Sequence, residues 1–215
     1  MLTGSDQLFS GHLSHLRRRL RDARVGTLTH GAAVDRGGRS LLLVLGELGA
    51  SRSVGFTPEH GLEGVAQAEE PVPSGEPGEG PLVVSLYGSS KESLEPTAEQ
   101  LSQLDVLVID LVDVGSRYYT YAWSALLAAR AAAKAGVHVV ILDRPNPISG
   151  DPTTLEGAPQ KEGFLSFVGL EPLPIRHALT LGELVALFAE RDGLPLGPEG
   201  ALSVGGSSGA VDDPA

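Results

Sequence analysis

Several carboxylates in this chain follow directly on runs of apolar residues, where a buried strand would deliver them to a sheet edge: Glu59, Asp110, Asp113 and Asp143. Glu59 lies between Pro58 and His60-Gly61. The proline fixes the approach of the backbone, and the glycine permits a tight turn or the close approach of a ligand. A carboxyl group held in such a turn and partly desolvated is suited to general acid catalysis; in an open loop it would be only a solvated charge. Asp113 and Arg117 flank Gly115 in the stretch DVGSR. They read either as a carboxylate and a guanidinium presented to a ligand or as an internal ion pair that stiffens a loop. Asp110, nearer the strand interior, is expected to bond to backbone groups. Tyr118, Tyr119 and Tyr121 follow. Helical spacing brings Tyr118 and Tyr121 near one face and sends Tyr119 elsewhere, giving either a platform for a sugar or ordinary packing. In Asp143-Arg-Pro-Asn-Pro147 the planar fork of Arg144 suits an anionic substrate group, with Asn146 beside it. Arg176-His177 precedes a helix whose free N–H groups favour anions, although a salt bridge explains Arg176 equally well.

These residues need elements to position them. The centre is 104–121, LDVLVIDLVDVGSRYYTY, whose apolar start lacks alternation and fits a strand covered on both faces. Further strands are predicted at 25–29, 53–56, 82–86 and 138–142. Helices are predicted at 6–22 with Asp6 as cap, near 40–48, at 97–102 opened by Pro96, and at 119–135 stopped by Gly136. Thr180-Leu-Gly-Glu183 reads as a capping box opening a helix to about Arg191. The segment 66–81 is rich in Pro, Gly and Glu and is expected to be a surface loop, and 144–176 mostly loop. Residues 1–195 form the predicted domain, and 196–215, reduced to small and polar residues, a flexible tail. Strands alternating with helices imply an α/β fold: a mostly parallel sheet with helices on both faces, all strands ending at one edge. That edge is where open α/β sheets bind ligands.

The chain has 215 residues and a formal net charge of -11, so a nucleic-acid partner is not expected. The arginines of 17–21 are read as a solvated helix face. With no cysteine, thiolate chemistry and disulfides are excluded. No stretch is long and apolar enough for a membrane span, and the N-terminus lacks a basic head followed by an apolar run, so no signal peptide is read and a cytoplasmic location is expected. The histidines show no metal-ligand spacing, and neither a P-loop nor a dinucleotide fingerprint follows any strand, so no metal and no cofactor are expected.

FTPEHGLEG at 56–64, SLYG at 85–88, DLVDVGSRYYTY at 110–121 and LDRPNP at 142–147 resemble the exo-β-N-acetylmuramidases of the NamZ type, and EG at 156–157, SFVG at 166–169 and RHALTLGEL at 176–184 continue the match in order. The resemblance covers about residues 20–195. It implies a Rossmann-like domain joined to a smaller second domain, with the active site between them, and release of N-acetylmuramic acid from the non-reducing end of peptidoglycan fragments. It implies Glu59 as the principal catalytic carboxyl; beside it, Asp113 is expected as an orienting group or base. His60, Arg117, Tyr118, Tyr121, Arg144, Asn146, Arg176 and His177 are then expected to bind muropeptides or disaccharides. Val112 stands where the family usually has glutamine, and the family's second domain is missing from this sequence. Self-association, or a separate C-terminal half, is expected in its place. A muropeptide-binding domain without turnover is the alternative, and the resemblance leaves export open.

Overall fold

The computed structural model describes residues 2–62, 81–87, 91–195 and 202–205. Helices α1 (Gly4–Ser10) and α2 (Ser14–Leu20) precede strand β1 (Arg24–Thr29), and α3 (Leu41–Val44) leads to β2 (Arg52–Thr57). Strand β3 (Leu82–Ser85) and helix α4 (Ala98–Ser102) follow, then β4 (Val106–Asp110), α5 (Tyr121–Lys134), β5 (His138–Leu142), α6 (Leu181–Arg191) and β6 (Leu202–Gly205). The strands form one parallel sheet in the order β3-β2-β1-β4-β5-β6. The α/β, Rossmann-like expectation therefore holds. Among the described residues no helix is long and apolar enough to cross a membrane.

The apolar run of β4 fills both faces because side chains alternate along a strand. Val106 and Val108 join Leu8, Leu16, Leu20, Leu41 and Leu45 under α1–α3. Leu107 and Ile109 join Phe56, Trp123, Leu126, Leu184 and Phe188 under α5 and α6. In α5 the buried alanines 122, 125, 128, 129 and 132 keep that helix close to its neighbours. Arg130 and Arg191 both grip Glu171, at 2.6 and 2.8 Å, and so join α5 and α6 to the loop between them.

Four expectations change. The helix predicted over 6–22 is two, because Gly11 ends α1 in a left-handed conformation, φ 88°. Its cap is Thr3 rather than Asp6; Asp6 sits three residues on and returns the reciprocal bond of a capping box. Thr97, in a capping box with Gln100, starts α4 in place of Pro96. Within the tail expected to be flexible, 202–205 pairs with β5 as an edge strand; the loop expected at 66–81 lies, but for Pro81, outside the described residues. Arg17, Arg18 and Arg21 are exposed around a groove shared with Glu47 and Leu48. Since α2 leads into the start of β1, this groove lies at the amino edge, away from the strand ends.

Candidate functional site

At the end of β2 the chain turns sharply after Glu59. His60 and Gly61 both have φ of 71°, and the Gly61 N–H donates to the Pro58 carbonyl at 3.2 Å. A left-handed conformation is unfavourable for a residue with a β-carbon, by about 1–2 kcal/mol, so strain at His60 is located next to the carboxyl it aims. Glu59 is buried, at 7% exposure. The Thr120 hydroxyl donates to its Oε2 at 2.7 Å, and the His60 Nε2 lies 4.0 Å from its Oε1. Thr120 occupies the N-cap of α5, yet its side chain makes no capping bond. The hydroxyl that would cap the helix serves Glu59 instead.

Asp113 lies beyond β4 and is also buried. Its Oδ2 accepts the Gly115 N–H at 2.9 Å. Burial pushes its carboxyl up to about 6, with Asp143 adding to the rise and the Gly115 and Val114 N–H groups opposing it. His177 faces it, Nε2 to Oδ2 at 3.7 Å. The Leu179 N–H donates to His177 Nδ1, so the ring proton belongs on Nε2, toward Asp113. Burial holds this imidazole below the ordinary histidine range. Asp113 Oδ1 and His177 Nε2 are buried and have no hydrogen-bond partner among the described residues. Gly115, at φ 78°, is required because a β-carbon there would overlap the Asn146 amide.

The tyrosines fall out differently from the helical expectation. The helix begins only at Tyr121, so the preceding residues follow turn geometry. Tyr118 is 53% exposed, whereas Tyr121 is buried. Tyr119 pairs with Tyr121 instead, ring centroids 4.6 Å apart, and Tyr121 and His30 form a T-shaped pair with centroids 4.8 Å apart. His30 directly follows β1 and accepts the Val112 N–H on Nε2 at 3.1 Å. Burial first, and Arg144 second, push His30 down to about 4, so it is neutral near pH 7.

The arginines are mostly committed to the fold. Arg144 donates to Asp110 at 2.8 Å, to Ser5 at 3.2 Å and to the Val34 carbonyl, so its fork is occupied by a buried carboxylate. Asp110 thus bonds to side chains, Ser5 and Arg144, where backbone partners were expected. Arg117 gives Nη1 to the carbonyls of Ala158 and Leu173, at 2.9 and 2.6 Å, instead of pairing with Asp113. Asn146 donates to the Leu179 carbonyl and accepts from Ile148 and Ser149 N–H groups. Arg176 takes the salt-bridge alternative, 3.1 Å from Glu156 at the surface. Asp143 accepts from Thr180, Gly182 and Arg144 and serves the start of α6. The structure therefore brings Glu59, His60 and Tyr121 into one region with Tyr119, Thr120 and His30, and sets Asp113 against His177. Thr120 and Tyr119 were missed. The hydroxyl directly ahead of an alanine-rich run was the available signal for Thr120. Among the described residues no three His, Asp or Glu side chains group as a metal site.

Fold and site together define a parallel α/β domain with buried carboxyl groups and tyrosines at the carboxyl edge of its sheet, an arrangement suited to proton transfer. The chain belongs to the family described as exo-β-N-acetylmuramidase NamZ, N-terminal, whose family model matches residues 25–204. It is 39% identical over 188 residues to the peptidoglycan β-N-acetylmuramidase NamZ of Bacillus subtilis (strain 168), covering 86% of this chain and 43% of that protein. Crystal structures of two DUF1343 family proteins of Bacteroides fragilis NCTC 9343 share the fold. One has TM-score 0.75 and 34% identity over 94% of this chain and 49% of its own; the other has TM-score 0.70 and 26% identity over 95% and 51%. The chain thus spans about half the length of these relatives.

Proposed function

We propose that this chain carries the acid–base half of a glycoside hydrolase that releases N-acetylmuramic acid from the non-reducing end of peptidoglycan fragments. The observation that carries the reading is Glu59: a buried carboxyl on a strained turn at a strand end, held through one oxygen by Thr120 at 2.7 Å. In this role Glu59 protonates the leaving glycosidic oxygen. The 2-acetamido group of the sugar is the proposed internal nucleophile, which removes the need for a second attacking carboxylate. Asp113, raised toward neutrality, orients that group or acts as the base.

The experiment is release of 4-nitrophenol from its N-acetylmuramic acid glycoside. Glu59→Gln keeps the size and hydrogen bonding of the side chain but has no proton to give. Turnover is expected to fall by about 10²–10⁴-fold with sugar binding largely kept. An unchanged rate in that variant would end the assignment. The alternative reading is a muropeptide-binding domain without turnover. Binding without release by the unaltered chain would select it.

A further inference from the structure

We propose that Tyr119 is the tyrosine that contacts the sugar, its hydroxyl donating a hydrogen bond to the substrate beside Glu59. The inference rests on the reading just given and adds a residue to it. Tyr119 directly precedes Thr120, the residue whose hydroxyl holds Glu59. Its ring lies 4.6 Å from that of Tyr121. Tyr121 and Glu59 are buried, whereas Tyr119 is half-buried, so of the aromatic pair it is the member that solvent or a ligand can reach. The two phenols also influence each other's ionisation, so their hydroxyls lie on the same side of this aromatic pair. Tyr119 also feels the charge of both Glu59 and Asp113. Burial first, and the two carboxylates after it, push the Tyr119 phenol above its ordinary value, so it is protonated and a donor at neutral pH. A flat ring with a fixed donor beside an acid is what a sugar hydroxyl or acetamido carbonyl needs for placement. Tyr118, the neighbour singled out by helical spacing, is instead turned out under the Arg117 guanidinium, 5.2 Å from its ring centroid.

The test labels all four tyrosines with 3-fluorotyrosine and assigns each ¹⁹F resonance by single Tyr→Phe changes. N-acetylmuramic acid is then titrated in, with calorimetry recording binding independently. The expected result is that Tyr119 shows the largest shift and saturates with the calorimetric curve. Tyr119→Phe should weaken binding by about 3- to 10-fold, the effect of one lost hydrogen bond, while its melting temperature stays near that of the parent. Binding seen by calorimetry with the Tyr119 resonance unmoved overturns this inference and leaves the proposed function standing. Absence of any sugar binding overturns both.

Discussion

Asp113 and His30 are buried titratable groups whose shifts run in opposite directions, which gives the pH dependence of stability a recognisable form. The Asp113 carboxyl is raised from 3.8 to about 6, so the folded state holds its proton longer than the unfolded chain does. Its contribution is fully present below pH 4 and is lost as the pH rises through 6. His30 is lowered from 6.5 to about 4; its contribution is present above 6.5 and lost as the pH falls through 4. Between pH 4 and 6 the two slopes oppose each other. Asp113→Asn should therefore gain stability relative to the parent as the pH rises from 4 to 6, reaching up to about 3 kcal/mol from a shift of roughly two units. Melting temperatures of both proteins across pH 4–8 measure this; a constant difference would mean that Asp113 is not desolvated. Glu59 and Asp113 were legible in the sequence because each follows an apolar run that had to end at the sheet edge. Arg144 was not legible as a fold residue. Its partners Asp110 and Val34 lie 34 and 110 residues away, and which carboxylate claims a guanidinium is decided by tertiary approach.

At the scale of elements, the capping box at Thr180 was read correctly because its whole signal lies within one helical turn. The structure adds a partner that no local pattern reveals: the Thr180 hydroxyl both accepts the Glu183 N–H at 3.2 Å and donates to Asp143 at 2.5 Å. Thr180→Ala removes a cap and leaves a buried carboxylate short of a donor, so the expected loss is about 2–3 kcal/mol rather than the ~1 kcal/mol of a cap alone. Thr180→Ser should recover most of it, and denaturant midpoints of the three proteins decide. Gly115→Ala forces a β-carbon into a left-handed residue and into the Asn146 amide. A loss of about 1–3 kcal/mol is expected, read in the same melts; a neutral result would show that the loops after β4 and β5 part easily. The tyrosines misled because helical spacing was applied one turn early. Tyr119 bonds through its N–H to the Ser116 carbonyl, a turn contact that places it against Tyr121.

For the whole molecule, large apolar side chains that remain exposed gather after β4 and β5. Val114, Tyr118, Ile148, Leu155, Phe164, Leu165 and Val168 lie there, and Leu43, Leu82 and Leu187 elsewhere. A rim of this kind favours association. The chain is expected to bind a hydrophobic dye and to sediment with concentration-dependent mass, and Phe164→Asp, at 76% exposure, should weaken both. A dye-silent monomer at high concentration would refute this. The strand order carries a consequence in time. β1 is flanked by β2 and β4, and Val25 stands opposite Val106. On a ribosome adding about 5–20 residues per second, roughly 4–16 seconds separate the two halves of that ladder. Throughout that interval β1, one of the two central strands of the finished sheet, is an edge, open to pairing with any other nascent chain. The segment that ends the exposure, Val106–Asp110, leads directly into Asp113 and the turn before Tyr121. Covering the open edge of β1 and bringing Thr120 to Glu59 thus belong to one step of synthesis.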